Sequence, residues 1–200
     1  MSNSQLNMQW RVDTGLAPLA KGDFDTYMII EPELWPQWQT QLYQEVAEPI
    51  HIPLFEKTQF ANIEQGPVLV ALDEQVNMFK LAVERMEATP CGCLLFVKKG
   101  TSQDRLSMIL RNGLIVMTGK ATALLRYYEP RTLLPLLGSM TDEERSLLFQ
   151  DVLQIHWYQE QWLSARITET VHPPEFYQWT ITPEHISTMQ SILTQSRGAV

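Results

Sequence analysis

The two cysteines are the strongest nucleophiles in this sequence, and they stand close together. Cys91 and Cys93 flank one glycine in the run "CGCLLFV". A thiolate activated by an imidazole can attack an acyl carbon, so a dyad with His51 or His156 is one chemistry to consider. The run around both cysteines is typical of a buried strand, and buried thiols are usually inert. A small α/β enzyme with a cysteine nucleophile therefore stays as the weaker alternative.

The other reactive side chains form no familiar catalytic pattern. The four histidines are scattered and lack the spacing of metal ligands. There is no glycine-rich phosphate loop of the usual kind, and no GxSxG motif. Asp142, Glu143 and Glu144 are adjacent, but they fall in the first turn of a predicted helix, where acids favour the helix dipole. The sequence thus predicts a protein that is not an enzyme and needs no cofactor or metal.

Charge is distributed unevenly along the chain. The formal net charge is −8, which disfavours binding to nucleic acid because phosphate contacts need clustered cations. One window, residues 98–131, has the opposite sign. It is either a solvated face or a basic patch for an acidic partner protein. Its basic residues are Lys98, Lys99, Arg105, Arg111, Lys120, Arg126 and Arg131, set against the acids Asp104 and Glu129.

No segment predicts export or membrane insertion. The first ten residues, "MSNSQLNMQW", have neither a basic region nor an apolar core, so no signal peptide is predicted. The longest apolar runs are far below the roughly 18 residues that span a bilayer. Two cysteines without further partners suit a reducing compartment. We therefore expect a cytoplasmic protein.

The first two thirds of the chain alternate between apolar runs and helical patterns. Pro53 predicts an edge position for its strand, and the rhythm as a whole predicts a mixed sheet flanked by helices. Two further strands, joined by a turn at residues 119–120, are expected in the same sheet. The predicted strands are 25–30, 49–55, 67–72, 91–98, 114–118 and 122–128, and the predicted helices are 31–49, 74–88 and 102–113.

The remainder of the chain has a more helical pattern. Pro130 begins a predicted helix that Gly138 ends, and Thr141 with Glu144 predicts a capping box at the next helix. A hairpin is expected within residues 153–168, and Thr182 caps a final helix. The predicted fold class is therefore α/β of the α+β type. It comprises an N-terminal extension (1–24), an α/β lobe with a mixed sheet (25–128) and a smaller, mostly helical lobe (129–200).

Residues 124–137, "LLRYYEPRTLLPLL", form the most distinctive stretch. It follows "YMIIEPEL" and "DRLSMILRNGLIV" and precedes "TDEERSLLFQDVLQIHWYQEQWL". In this order the elements resemble the effector adaptor (chaperone) family of the bacterial type VI secretion system, the Tap/Tec type, over about residues 25–163. That family has an aromatic pair followed by Asp-Pro-Arg. Here Glu129 replaces the aspartate, which keeps the charge but caps a helix less well, and "LLFQDV" replaces a Phe-Gly-Pro turn.

The resemblance implies a binding role. Family members are cytoplasmic adaptors that hold a toxic effector, often by its N-terminal region, and help to load it onto the VgrG spike protein. No cofactor is implied. We expect this chain to bind an effector and VgrG, but neither nucleic acid nor membrane. A general regulatory binding domain is a further alternative.

Two groups of residues are candidates for this binding role. The family-motif residues are either structural or part of an interface, with Arg126 and Arg131 expected as clamps between the lobes or as the rim of the basic patch: Arg126, Tyr127, Tyr128, Glu129, Pro130 and Arg131. The candidate partner-binding residues come from the basic window and from tryptophans that serve either a core or an interface: Arg105, Arg111, Lys120, Trp157 and Trp162.

Overall fold

The protein is described here by a computed structural model that covers residues 10–20, 22–72, 76–170 and 173–197. The strands in these ranges are β1 (Asp13–Gly15), β2 (Phe24–Ile30), β3 (His51–Pro53), β4 (Val68–Ala71), β5 (Gly92–Lys98), β6 (Ile115–Thr118), β7 (Ala121–Leu124), β8 (Val152–Gln159), β9 (Gln161–Arg166) and β10 (Thr180–Ile181). The helices are α1 (Trp38–Glu45), α2 (Val76–Ala88), α3 (Gln103–Gly113), α4 (Pro130–Ser139), α5 (Asp142–Leu148) and α6 (Pro183–Arg197), and a 3₁₀ helix spans Pro32–Leu34. The α+β class predicted from the sequence is confirmed.

Seven of these strands form one sheet in the order β1-β9-β8-β5-β2-β4-β3. Every neighbouring pair in it is antiparallel. The sheet was expected to be mixed, but its strands are joined through hairpins and returning helices rather than by parallel crossovers. β3 lies at the edge, as Pro53 predicts, because a proline has no N–H for a second neighbour.

Both faces of the large sheet are buried. In β2, Tyr27 and Ile29 join one core, while Met28 and Ile30 join the other. Such alternation follows from the two-residue period of a strand, and it explains why β2 is apolar throughout. Leu42 of α1 and residues of α2 cover one face, and leucines of α3, α4 and α5 cover the other.

β6, β7 and β10 form a separate sheet, in the order β10-β6-β7. This corrects the expectation that residues 114–118 and 122–128 extend the main sheet. β6 pairs with β7 antiparallel and with β10 in parallel, so the mixed pairing is found here. The predicted turn is confirmed: Thr118 pairs with Ala121, and Gly119 takes a positive φ of 62° that glycine tolerates best. β7 ends at Leu124, before the tyrosine pair.

Two predicted helix boundaries are wrong. The pattern at 31–49 gives a 3₁₀ turn and then α1, because Pro36 falls between them and cannot supply an N–H to a continuous helix. At the other position, α4 continues through Gly138 to Ser139. A side chain at Gly138 would meet Ile192 of α6 at 2.6 Å. This glycine therefore serves close helix packing rather than a helix end.

Segments from both ends of the chain belong to the large sheet. β1, within the expected extension, pairs with β9, and Trp10 is buried against α4 and α6. The hairpin β8–β9 is confirmed, and β8 pairs with β5. The sheet thus contains strands from both sides of residue 128, because β8 and β9 come from the part of the chain after it. The exact division of the chain into lobes stays a prediction.

Within the residues described, no helix is both long and apolar enough to cross a membrane. The longest, α6, has 15 residues and carries polar side chains over much of its surface.

Candidate functional site

Residues 126–131, the signature segment, connect β7 to α4. Tyr127 is fully buried, and its hydroxyl donates a hydrogen bond of 2.8 Å to the carbonyl oxygen of Leu110 in the last turns of α3. Its ring contacts those of Tyr128 and Phe149 edge to face. Burial raises the pKa of Tyr127 well above its usual value, so the hydroxyl stays a donor. The first tyrosine of the signature is therefore structural.

Arg126 holds the signature segment against the end of β2. Its guanidinium forms an ion pair with Glu31, the residue that follows β2, and lies 5.8 Å from the ring centre of Tyr128. Its Nη1 atom also lies 3.8 Å from Oε2 of Glu129. Partial burial alone lowers the pKa of Arg126, but its contacts with Tyr128 and Glu31 outweigh this effect and raise the pKa overall. Both carboxylates are mostly shielded from water, which strengthens their attraction for the guanidinium.

Arg131 does not have the clamping role expected of it. Its side chain is 82% exposed, and among the described residues it binds only Glu129, with Nη2 at 2.6 Å from Oε1. Glu129 makes no side-chain cap on α4, as its length predicts. Instead the hydroxyl of Thr132 lies 2.7 Å from the carbonyl oxygen of Arg126 and 2.9 Å from that of Glu129. Pro130 is buried at the first position of the helix, as predicted.

Most of the basic window is neutralised by acids from elsewhere in the fold. Lys98 pairs with Glu169, and Arg105 pairs with Asp151. Lys99 similarly meets Asp25 at 3.1 Å. Each acid lies outside the window in sequence but next to it in space. The window is thus largely a set of exposed ion pairs, which weakens the interpretation as a free basic patch.

The two remaining cations of the window differ in their roles. Arg111 donates from Nη2 to the carbonyl oxygen of Pro53, at 3.1 Å, and so covers the outer edge of β3. Lys120 is exposed in the β6–β7 turn and forms no ion pair with the described residues. Of the basic candidates for partner binding, Lys120 is the one that the structure leaves open to a partner.

Neither tryptophan named as a candidate offers its ring to a partner. Trp157 is fully buried in the sheet beside Cys93 and Leu163. Trp162 is buried in the other core, and its Nε1 donates to Glu87 at 2.6 Å. The interface role proposed for both is therefore corrected: these rings fill the two sides of a sheet whose faces are both covered.

The two cysteine side chains lie in different cores. Cys91 precedes β5 and packs with the α1–α2 side, whereas Cys93 lies in the strand and packs on the opposite side. Cys91 lies outside the strand, so the alternation of side chains along β5 does not apply to it. Both are free and buried. Burial raises the pKa of Cys91 to about 11 and that of Cys93 to about 12, which is the opposite of an activated thiol.

A buried arginine that the sequence did not single out organises the N-terminal segment. Arg145 of α5 is 1% exposed. It donates to the carbonyl oxygens of Leu137 at 2.8 Å, Arg11 at 3.0 Å and Trp10 at 2.7 Å. Desolvation and the neighbouring Arg11 lower its pKa to about 10, against a small opposing effect of Asp142. In the sequence, the burial of Arg145 is indicated by its position on the apolar side of α5, near Leu148.

Glu144 has a second role beyond the capping box. The box is complete: Thr141 N–H donates to the carboxylate at 2.8 Å, and the Thr141 hydroxyl accepts from Glu144 N–H at 3.1 Å. The same carboxylate accepts from Trp179 Nε1 at 2.9 Å and lies 3.1 Å from His185 Nε2. One acid therefore joins the start of α5 to the segment that leads into α6.

Together these features define an α+β protein in which a Tyr-Tyr-Glu-Pro-Arg segment ties an antiparallel sheet to a cluster of helices. A family model described as "Domain of unknown function (DUF4123)" matches residues 26–147. The chain therefore belongs to the DUF4123 family. A search of the curated proteins found no match, and neither did a search of the solved structures.

Proposed function

We propose that this protein is a cytoplasmic adaptor, or chaperone, that binds a type VI secretion effector and helps to load it onto the VgrG spike. The observation that carries the proposal is the family match over residues 26–147, which includes the whole signature segment. The DUF4123 family is commonly linked to type VI secretion adaptors. The order of elements on which the resemblance rests begins in β2 and continues into β9.

A binding role without catalysis also accords with the chemistry of the described residues. Both thiols are buried with raised pKa values, which disfavours the alternative of a cysteine nucleophile. Among these residues no three His, Cys, Asp or Glu side chains are grouped closely enough to hold a metal ion. The signature side chains that are buried stabilise the fold, which leaves binding to exposed surfaces elsewhere.

In the proposed mechanism, the adaptor temporarily covers apolar surface of the effector. The adaptor binds apolar surface near the effector's N-terminus, keeps the toxin from aggregating in the cytoplasm and releases it after transfer to the spike. An interface stable enough for this task buries about 1,000 Å² or more in total. The rigid two-sided core of the sheet allows such a surface to be presented without reorganisation, which lowers the entropy cost of binding.

The test is a tagged copy expressed from its own locus in the bacterium of origin. We expect a toxin and VgrG to co-purify with it. Deletion of the gene is expected to abolish secretion of that toxin, while other type VI substrates are still exported. Recovery of neither protein, or unchanged secretion after deletion, would overturn the proposal.

A further inference from the structure

A groove of about 860 Å³ lies beside the edge strand β3. One wall is formed by the 3₁₀ helix and the start of α1, including Trp38, and the other by the loop after β3, including Phe55 and Ile63. Ile63 is 48% exposed. Gly66 shapes the loop, because a side chain there would meet the Phe55 ring at 2.4 Å. The groove thus combines an apolar floor with an exposed apolar rim.

Three acids and one histidine, His51, line this groove. Glu33, Glu56 and Glu64 line it, and neither Lys nor Arg does. All three are exposed, and none forms an ion pair with another described residue. Lys57 is in the same loop but does not line the groove. Most cations of the basic window pair with an acid, whereas these three carboxylates form no ion pair within the described part of the chain.

The edge of β3 is closed to a further strand. Ile50 and Leu54 bond to β4, since the Ala71 N–H donates to the Ile50 carbonyl and the Leu54 N–H donates to that of Pro67. The alternate residues of β3 therefore direct their backbone groups outward. Pro53 has no N–H, and Arg111 already occupies its carbonyl. His51 is the other residue of β3 with outward backbone groups, and one residue gives too few bonds for a further strand, so a partner in the groove binds mainly by its side chains.

We propose that this groove binds a short basic, amphipathic segment of the effector, with apolar side chains against Ile63, beside the largely buried Trp38 and Phe55, and Lys or Arg side chains facing Glu33, Glu56 and Glu64. The assignment rests on the proposed adaptor function and specifies the face that the cargo occupies. A volume of about 860 Å³ suits a few side chains of one segment rather than a folded domain. The negative rim selects basic segments and rejects acidic ones by repulsion.

The first experiment uses two synthetic, fluorescent 12-residue peptides, one alternating Leu with Lys and one alternating Leu with Glu. Each is titrated into the full-length protein and followed by anisotropy. We expect only the Lys peptide to bind, with an affinity that falls as salt is added. The triple variant Glu33→Lys/Glu56→Lys/Glu64→Lys is expected to weaken binding about tenfold or more.

A matched control separates the groove from the overall charge of the protein. Asp23→Lys/Glu160→Lys/Glu175→Lys makes the same change in net charge at three exposed acids outside the groove. It is expected to retain nearly all of the affinity for the Lys peptide. Equal loss in both triple variants, or equal binding of the two peptides, would overturn the proposal. Thermal melting of each variant confirms that it is folded.

The second experiment repeats the toxin co-purification with both triple variants. We expect the groove variant to lose the toxin and the control to keep it. If the unmodified protein captures a toxin and the groove variant captures it equally well, the groove assignment is wrong and the adaptor function stands. If the unmodified protein captures no toxin, the adaptor function itself is wrong.

Discussion

Arg126 pairs with Glu31 across 95 positions of sequence. The pair links the signature segment, just before α4, to the residue that leaves the central strand β2. The backbone N–H of Glu31 also donates to the Cys91 carbonyl at 2.8 Å. This bond holds the backbone of Glu31 next to the start of β5. Of the two signature arginines, Arg126 therefore links the segment to the sheet, and Arg131 does not.

The two signature arginines are expected to differ in their effect on stability. Arg126→Ala should lower the free energy of unfolding by about 1 kcal/mol, because it removes the contact with Glu31 and the packing on Tyr128, although half of its side chain is in water. Arg131→Ala should change it by less than about 0.5 kcal/mol, since its one partner is local and the side chain is exposed. Urea unfolding of both variants measures this difference. If Arg131→Ala lowered the free energy of unfolding more than Arg126→Ala, Arg131 would be the residue that holds the segment in place.

Tyr127→Phe tests the buried hydrogen bond of the signature. Loss of the hydroxyl leaves the Leu110 carbonyl without this donor in the core, so we expect a cost of about 1–2 kcal/mol. Tyr43→Phe is the matched control, because Tyr43 is 54% exposed. Denaturant unfolding compares the two. Equal stability of Tyr127→Phe and the unmodified protein would show that the bond contributes nothing net.

Gly92→Ala is expected to be among the most damaging single substitutions. A Cβ at this position would lie 1.8 Å from the backbone oxygen of Ile29 on the neighbouring strand, which cannot move without opening the β2–β5 pairing. We expect a loss of about 4 kcal/mol or failure to fold. Gly15→Ala, where no atom lies within 4 Å, is the control. Thermal melting and soluble yield are the measurements, and a small change for Gly92→Ala would contradict the close approach.

Glu144→Gln is expected to reduce acid sensitivity. Desolvation raises the pKa of Glu144, but hydrogen bonds from Thr141 and Trp179 outweigh it, so the folded pKa lies below the usual 4.5. The carboxylate therefore stabilises the fold above that usual value, and the stabilisation is lost as the pH falls through the lower, folded value. At pH 7 the variant should be less stable by about 1.5–3 kcal/mol.

The difference between this variant and the unmodified protein should shrink steadily as the pH falls below 4.5 and through the lower, folded pKa of Glu144. Unfolding with urea across this range measures it. Glu143→Gln, in the same helical turn but exposed, serves as the control for a general loss of charge. A stability difference that does not vary with pH would indicate that packing, and not ionisation, explains the effect of Glu144.

The thiols provide a direct test of the weaker, enzymatic alternative. With pKa values raised to about 11 for Cys91 and about 12 for Cys93, both should resist a mild alkylating agent at pH 7.5. Both should react fully in denaturant. Mass spectrometry of the labelled protein distinguishes the two sites. Rapid labelling of one cysteine in the folded protein would instead support the alternative of an enzyme with a cysteine nucleophile.

The sequence by itself determined the elements that depend on neighbouring residues. The capping box of Thr141 and Glu144, the turn at Gly119 and the edge position of the Pro53 strand were all predicted correctly. Each follows from backbone geometry or from a missing N–H within a few residues. The signature segment lies within the match to the DUF4123 family.

Only the tertiary structure decided how distant segments meet. Sequence periodicity marks a strand but not its neighbours, so β6 and β7 were assigned to the wrong sheet, and the choice between core and interface stayed open for Trp157 and Trp162. The charge of the basic window was read correctly, but its acids approach from residues 25, 31, 151 and 169. The three uncompensated carboxylates of the groove also come from two separated stretches. Ion pairs and grooves depend on distance in space, and that distance is fixed by the packing of the whole sheet.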